Sequence, residues 1–166
     1  MTAAVPPALR PARPADAARL AWVHRTAWVE TYAGLLPAEH WRTDTLERRA
    51  ATWARWLDGG VPVTVAERDG EIVGFAIAGA STTVGEHPPV RDHQLYALYV
   101  LAAHHGTGTG QVLLDAVVAP GTPAQLWVAR DNPKARAFYG RNGFEPDGAT
   151  HVDPALHGLV EVRLVR

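Results

Sequence analysis

The chain has 166 residues, 47% of them apolar and 20% charged, with a formal net charge of -1 and no cysteine. That length suits one globular domain with a full core, and the missing thiols exclude disulfides, zinc–thiolate sites and cysteine nucleophiles. The near-zero charge advertises no nucleic-acid or anionic-membrane surface, and no run reaches the roughly 18 apolar residues of a membrane span.

Residues 1–7 are small and proline-rich and read as a frayed leader. The N-terminal stretch has no apolar segment of the signal-peptide kind, so the expected location is the cytoplasm. "ALRPARPAD" offers a short edge strand ending near Pro11. Asp16 stands where a helix cap belongs, with Leu20, Val23 and Ala27 following at helical spacing. Gly34 and Pro37 punctuate "YAGLLPAEH", and a second helix is predicted from Ala38 to Leu57, stopped by "DGG".

The period then changes. "VPVTVAE" alternates as a strand, Arg68 to Gly70 make a tight turn, and "EIVGFAIAGA" returns. "STTVGEHPPVRDH" is a polar loop, and Gln94 to Val100 form another strand. "HHGTGTGQVLL" follows, with Gly106, Gly108 and Gly110 at alternate positions running into a helix that ends near Ala119. "AQLWVA" is a strand. Asn132 and Pro133 fit the cap and first position of a helix whose face carries Ala135, Phe138, Tyr139 and Asn142, with Gly143 as its stop. "DGATHVDPALHG" reads as a loop and "GLVEVRLVR" as the closing strand. No repeat, linker or second domain is visible. The order gives an α/β (α+β) domain around a mostly antiparallel sheet with at least one β-α-β crossover.

Each helical glycine costs roughly 1 kcal/mol relative to alanine, so the glycine stretch needs a use. A strand that passes through glycines into a helix N-terminus makes an anion site, because the first helical N–H groups lack internal partners and the dipole is positive there. A nucleotide-triphosphate loop would need Lys then Ser or Thr after the last glycine, where Gln111 and Val112 stand. The dinucleotide fingerprint G-x-G-x-x-G does not match either. Taken alone, the glycines also fit a plain flexible turn.

The next motif narrows the choice. "DNPKARAFYGRNGF", together with the glycine stretch, resembles two motifs of the GNAT superfamily of N-acetyltransferases. The first is Q/R-x-x-G-x-G/A, matched by His105, Gly106, Thr107, Gly108, Thr109 and Gly110. The second is an Asn-x-x-Ala-x-x-Phe-Tyr-x-x-x-Gly-Phe pattern, matched by Asn132, Ala135, Phe138, Tyr139, Gly143 and Phe144. His105 departs from the usual Arg or Gln, and a neutral imidazole brings less charge.

The resemblance implies a twisted sheet of about six or seven strands flanked by about four helices. It implies acetyl-CoA as donor, no metal, and a primary amine of a small molecule or a protein N-terminus as acceptor. Pyrophosphate would lie on the N–H groups of Gly106 to Gly110, with Gln111, Asn132 and Ala135 also at the cofactor. Pantetheine would run along the strand carrying Leu98 and Val100, and the Val100 N–H would polarise the thioester carbonyl. Tyr139 would protonate the departing thiolate. Trp28, Glu30 and Tyr32 would border the acceptor. A homodimer through the exposed edge of the final strand is possible.

An alkylamine with a pKa near 10.4 is neutral in roughly one molecule in a few thousand at pH 7, so a base is expected. Gln94 stands where the family sometimes has a glutamate and cannot serve. Asp92, His93, His24 and Glu30 are each more readily explained as surface or structural groups. His104, His105, His151 and His157 match no zinc template. Lys134 is the only lysine, which reads as codon bias. The competing class is a silent acyl-CoA-binding module of the same fold.

Overall fold

The computed structural model describes residues 5–166. Seven strands form one sheet in the order β1-β2-β3-β4-β5-β7-β6. They are β1 (Ala8–Pro11), β2 (Val63–Arg68), β3 (Glu71–Ala80), β4 (His93–Val100), β5 (Gln125–Ala129), β6 (Glu145–Asp153) and β7 (Leu159–Val165). Every neighbouring pair is antiparallel except β4–β5. Five α-helices flank the sheet: α1 (Ala17–Tyr32), α2 (Ala38–Thr43), α3 (Leu46–Asp58), α4 (Thr109–Val117) and α5 (Pro133–Arg141). Among the described residues, no helix is long and apolar enough to cross a membrane.

Alternation along the strands sorts side chains between two cores. On one face Leu20 and Val23 of α1 and Trp53 of α3 pack on Phe75 and Val65. On the other, Leu114 of α4 and Tyr139 of α5 pack on Leu95, Leu126 and Leu164. The β2–β3 turn uses Asp69 at φ 52° and Gly70 at φ 79°, the left-handed pair that matches strand twist.

Several expectations need correction. The leader does not fray through residue 7: Arg68 Nη1 donates to the Val5 carbonyl at 2.8 Å, and Pro7 is buried. The rest of it, residues 1–4, lies outside the described residues. Asp16 precedes α1 without capping it. Its carboxylate instead takes the Arg13 N–H at 2.7 Å and the Arg10 guanidinium. The helix expected from Ala38 to Leu57 is two helices. Asp44 breaks it, with its carbonyl held by Arg25 Nε at 2.7 Å and its carboxylate by Arg49, and Thr45 Oγ1 caps α3 on the Arg48 N–H.

"DGATHVDPALHG" is not wholly a loop, because Glu145–Asp153 form β6. The strand was hidden by its polarity, which suits a sheet edge, and by an irregular register between Pro146 and Thr150. The final strand has no exposed edge. β7 sits between β5 and β6, since its apolar Val162 and Leu164 pack into the α4–α5 core. An edge-to-edge dimer through β7 is therefore blocked; the free edges of the sheet belong to β1 and β6.

Candidate active site

β4 and β5 pair only at Gln94–Gln125 and Leu95–Leu126, then part. The bulge lies just beyond. Against β3, Ala78 faces Leu95 and Ile77 faces Ala97, so Tyr96 is the extra residue. A bulge bends and twists its strand, and the Tyr96 hydroxyl anchors this one on the Ala80 carbonyl and on Thr82. The gap is a cleft of about 660 Å³ running from Glu30 and Tyr32 to the glycine stretch and the start of α5.

The parting leaves backbone groups of β4 without a strand partner. Leu101 N–H donates to the Val73 carbonyl at 3.0 Å, and Tyr99 lies opposite Phe75. Successive residues point their N–H and C=O to opposite sides. Leu98 and Val100 therefore aim theirs away from β3 and into the cleft. The Val100 carbonyl is taken by His105 Nε2 at 2.7 Å. Close packing at this point depends on Gly74: a Cβ there would lie 2.8 Å from the Tyr99 carbonyl oxygen and 3.2 Å from Leu113. A glycine inside a strand signals such an approach; this one escaped the sequence reading.

The three glycines have separate uses. Gly106 at φ 74° and Gly108 at φ 83° turn the chain through left-handed conformations, with open space around both. Gly110 lies inside α4, where a Cβ would rest 3.7 Å from the Phe138 ring. Side chains brace the turn from behind. Thr107 Oγ1 donates to the His104 carbonyl at 2.7 Å and lies 2.9 Å from Thr109 Oγ1, with the Arg68 guanidinium beneath. Thr107 and Thr109 thus point into the loop, and Thr109 is fully buried. Leu98, Val100, His105, Gly106, Gly108, Gly110, Gln111, Asn132 and Ala135 all line the cleft. Two of these have side chains already committed. Gln111 exchanges hydrogen bonds with Asn142, and Asn132 caps the Ala135 N–H at 3.1 Å.

Tyr139 reaches the neck of the cleft from α5, with 7% of its surface exposed. Burial, with Tyr99 nearby, raises its phenol above the ordinary range, and no hydrogen bond acts on it. Tyr32 of α1 and Tyr99 of β4 lie close enough to act on one another and on it electrostatically, and burial raises both. Glu161 of β7 acts on this pair electrostatically. Its half-buried carboxyl is raised by burial and then by Asp153, with His151 pulling the other way. His151, Asp153 and Glu161 bring nitrogen and oxygen atoms within 4.8 Å of one another. Glu161 does not itself line the cleft; its link to the site is its effect on Tyr32 and Tyr99, and nothing in "GLVEVRLVR" marks it in sequence.

Of the acceptor-side residues, Glu30 and Tyr32 line the cleft and Trp28 does not. Trp28 packs between Tyr32 and His40, with Arg49 over its ring. Glu30 is partly engaged, since its Oε2 accepts the Ala102 N–H at 2.9 Å. The other basic candidates lie elsewhere. His24 sits in the core, accepting from Trp53 Nε1 at 3.3 Å, and burial pushes it down to about 3. His93 Nε2 meets the Val117 carbonyl at 3.0 Å, and Asp92 is exposed in the loop.

Comparison with known proteins identifies this arrangement. Residues 59–146 match the acetyltransferase (GNAT) domain. A probable N-acetyltransferase of Mycobacterium tuberculosis is 28% identical over 165 residues, spanning 91% of this chain and 87% of that one. An N-acetyltransferase of Archaeoglobus fulgidus is 33% identical over 123 residues, spanning 68% and 78%. The crystal structure of PaiA N-acetyltransferase from Thermoplasma acidophilum in complex with coenzyme A superposes with a TM-score of 0.64 at 20% identity, over 94% of this chain and 96% of that one.

Proposed function

The chain belongs to the GNAT family of acetyltransferases and is an acetyl-CoA-dependent enzyme, and from that premise we propose the route by which it moves the acetyl group. A primary amine, of a small molecule or a protein N-terminus, attacks the thioester directly at the neck of the cleft. The observation that carries this reading is the convergence there of a free backbone N–H and a buried, unpartnered phenol.

The parts divide as follows. Pyrophosphate lies on the N–H groups from Gly106 to Gly110, at the start of α4. Pantetheine continues the sheet beside Leu98 and Val100, in the place β5 vacates. The Val100 N–H faces the carbonyl oxygen as negative charge develops on it. A preorganised donor stabilises that charge without reorganising. Collapse of the tetrahedral intermediate expels the thiolate, and Tyr139 gives it a proton. A phenol titrates near pH ~10, so at neutral pH Tyr139 holds the proton it gives, and the thiolate takes it as the bond to the acetyl carbon breaks.

The attacking ammonium must first lose a proton on the acceptor side. We assign this step to Glu161 acting through water, because it stands beside the cleft, close enough to act on Tyr32 and Tyr99, and its carboxyl is held above the usual range.

The test is a melting scan with acetyl-CoA, with ATP and NAD as controls, followed by thiol release across a panel of amines. Saturation at about a hundred times Kd adds ~2.7 kcal/mol, or roughly 5–11 °C at this size. A shift with acetyl-CoA and turnover with an amine is the expected result. A shift without turnover on any amine would favour a silent acyl-CoA-binding module, and no shift would refute the donor.

A further inference from the structure

The position that usually carries Arg or Gln in this family holds His105, whose ring cannot offer the same fixed cation. The geometry points to a substitute: we infer that Lys134, held by His105, is the cation that binds the pyrophosphate of the acyl-CoA donor. The inference rests on the donor assignment above.

Lys134 Nζ lies 2.6 Å from His105 Nδ1, and His105 Nε2 lies 2.7 Å from the Val100 carbonyl. A carbonyl only accepts, so Nε2 carries the ring hydrogen. Nδ1 then presents its lone pair to the ammonium, which only donates. The ring is a neutral spacer between strand end and cation. An ammonium has three N–H groups; one goes to His105 and the others are free for a ligand. Both residues line the cleft where the glycine turn begins.

The fold gains nothing by placing a cation here. Lys134 is exposed and lies in the first turn of α5, after Pro133, where the helix dipole disfavours positive charge. Its contact is with a neutral ring and not a carboxylate. The acidic group nearby in sequence, Asp131, is paired with Arg130. The other cations near the turn are less suited. Arg68 lies under the loop and holds Thr107 and Val5, while Arg141 lines the cleft from the last turn of α5. A dianionic pyrophosphate on the turn would supply the charge that Lys134 lacks a partner for.

Lys134 thus binds, and His105 positions it. His105 also fixes the Val100 carbonyl, so one ring ties the phosphate end of the cleft to the strand that faces the thioester. A neutral histidine at the motif position is therefore no loss of charge. The charge is delivered one residue further out, from the neighbouring helix.

The test is the dissociation constant for coenzyme A, by calorimetry, in wild type, K134Q, K134R and H105A. An exposed charge-assisted contact predicts about five- to tenfold weaker binding by K134Q at low salt, narrowing at high salt. K134R should recover most of the loss. H105A should weaken binding less, and add little in the K134Q background, because the two act as one unit. The melting temperature of ligand-free K134Q should not fall. Repeating the titrations with 3′-dephospho-CoA separates the phosphates: a K134Q penalty that persists supports pyrophosphate, and one that vanishes assigns Lys134 to the 3′-phosphate and overturns the proposal. Wild-type affinity in K134Q would overturn it, as would a penalty that neither salt nor arginine alters. A wild-type protein that bound no coenzyme A would instead refute the donor reading itself.

Discussion

Replacing Tyr139 with Phe removes one hydroxyl from a ring that is 93% buried by its 7% exposure. The ring's contacts stay. Phe138 and Phe144 lie edge-on at 5.2 and 6.0 Å, and both packings survive the change. No hydrogen bond acts on the phenol, so none is broken. Stability should therefore move by no more than about 0.5 kcal/mol, roughly 1–2 °C in Tm. Catalysis should move far more. A positioned general acid contributes about 10²–10⁴ in rate, or about 3–5 kcal/mol of barrier.

The assay is steady-state release of thiol at saturating acetyl-CoA and amine, with the donor Kd measured alongside. Expected are a hundredfold or greater fall in kcat and an unchanged Kd. A donor with a more acidic leaving thiol should narrow the gap, because it needs less protonation. The raised phenol also sets the pH behaviour. Tyr139 stays protonated beyond the ordinary phenol range, so it produces no loss of activity below about pH 10. A Tyr139→Phe enzyme within twofold of wild type would remove Tyr139 from the mechanism.

Other consequences follow from burial and spacing. His24 is held near 3 in the fold against 6.5 when unfolded. The unfolded chain binds the extra proton, so stability is full above pH ~6.5 and declines by about 1.4 kcal/mol per pH unit down to about 3. In urea unfolding at pH 7, 5 and 4, H24Q should show a shallower acid decline; an unchanged slope would refute the assignment. G74A should cost about 1–3 kcal/mol by overpacking and weaken acetyl-CoA binding, since the added Cβ presses on the Tyr99 carbonyl beside Val100. Wild-type Tm and donor affinity would show that the strands yield there freely. Glu161 is raised, so its basic form is lost at a higher pH than for an ordinary glutamate as the solution is acidified. E161Q should lower kcat/KM for the amine and flatten the acid limb; an unaltered profile would exclude it as base.

Local patterns in the chain determined a good deal. Alternation marked β2, apolar runs between turns and loops marked β3 to β5, and the Asn-Pro cap and Gly143 stop bounded α5, because caps, turns and periods are local physics. The two motifs carried the family. The φ values of Gly106 and Gly108 answer to the same local logic, since only glycine turns there without strain. What needed the tertiary structure was everything set by a distant partner. β6 is polar because it is an edge, and a strand cannot announce its place in a sheet. The bulge at Tyr96 opens the cleft, yet it is defined only by register against β3. Gly74 matters because Tyr99, far along the chain, lies against it. Lys134 looked like codon bias until the fold set its ammonium 2.6 Å from His105. The separation of the two is 29 residues in sequence. Close approach across such a span is decided by packing, which no window of the sequence contains.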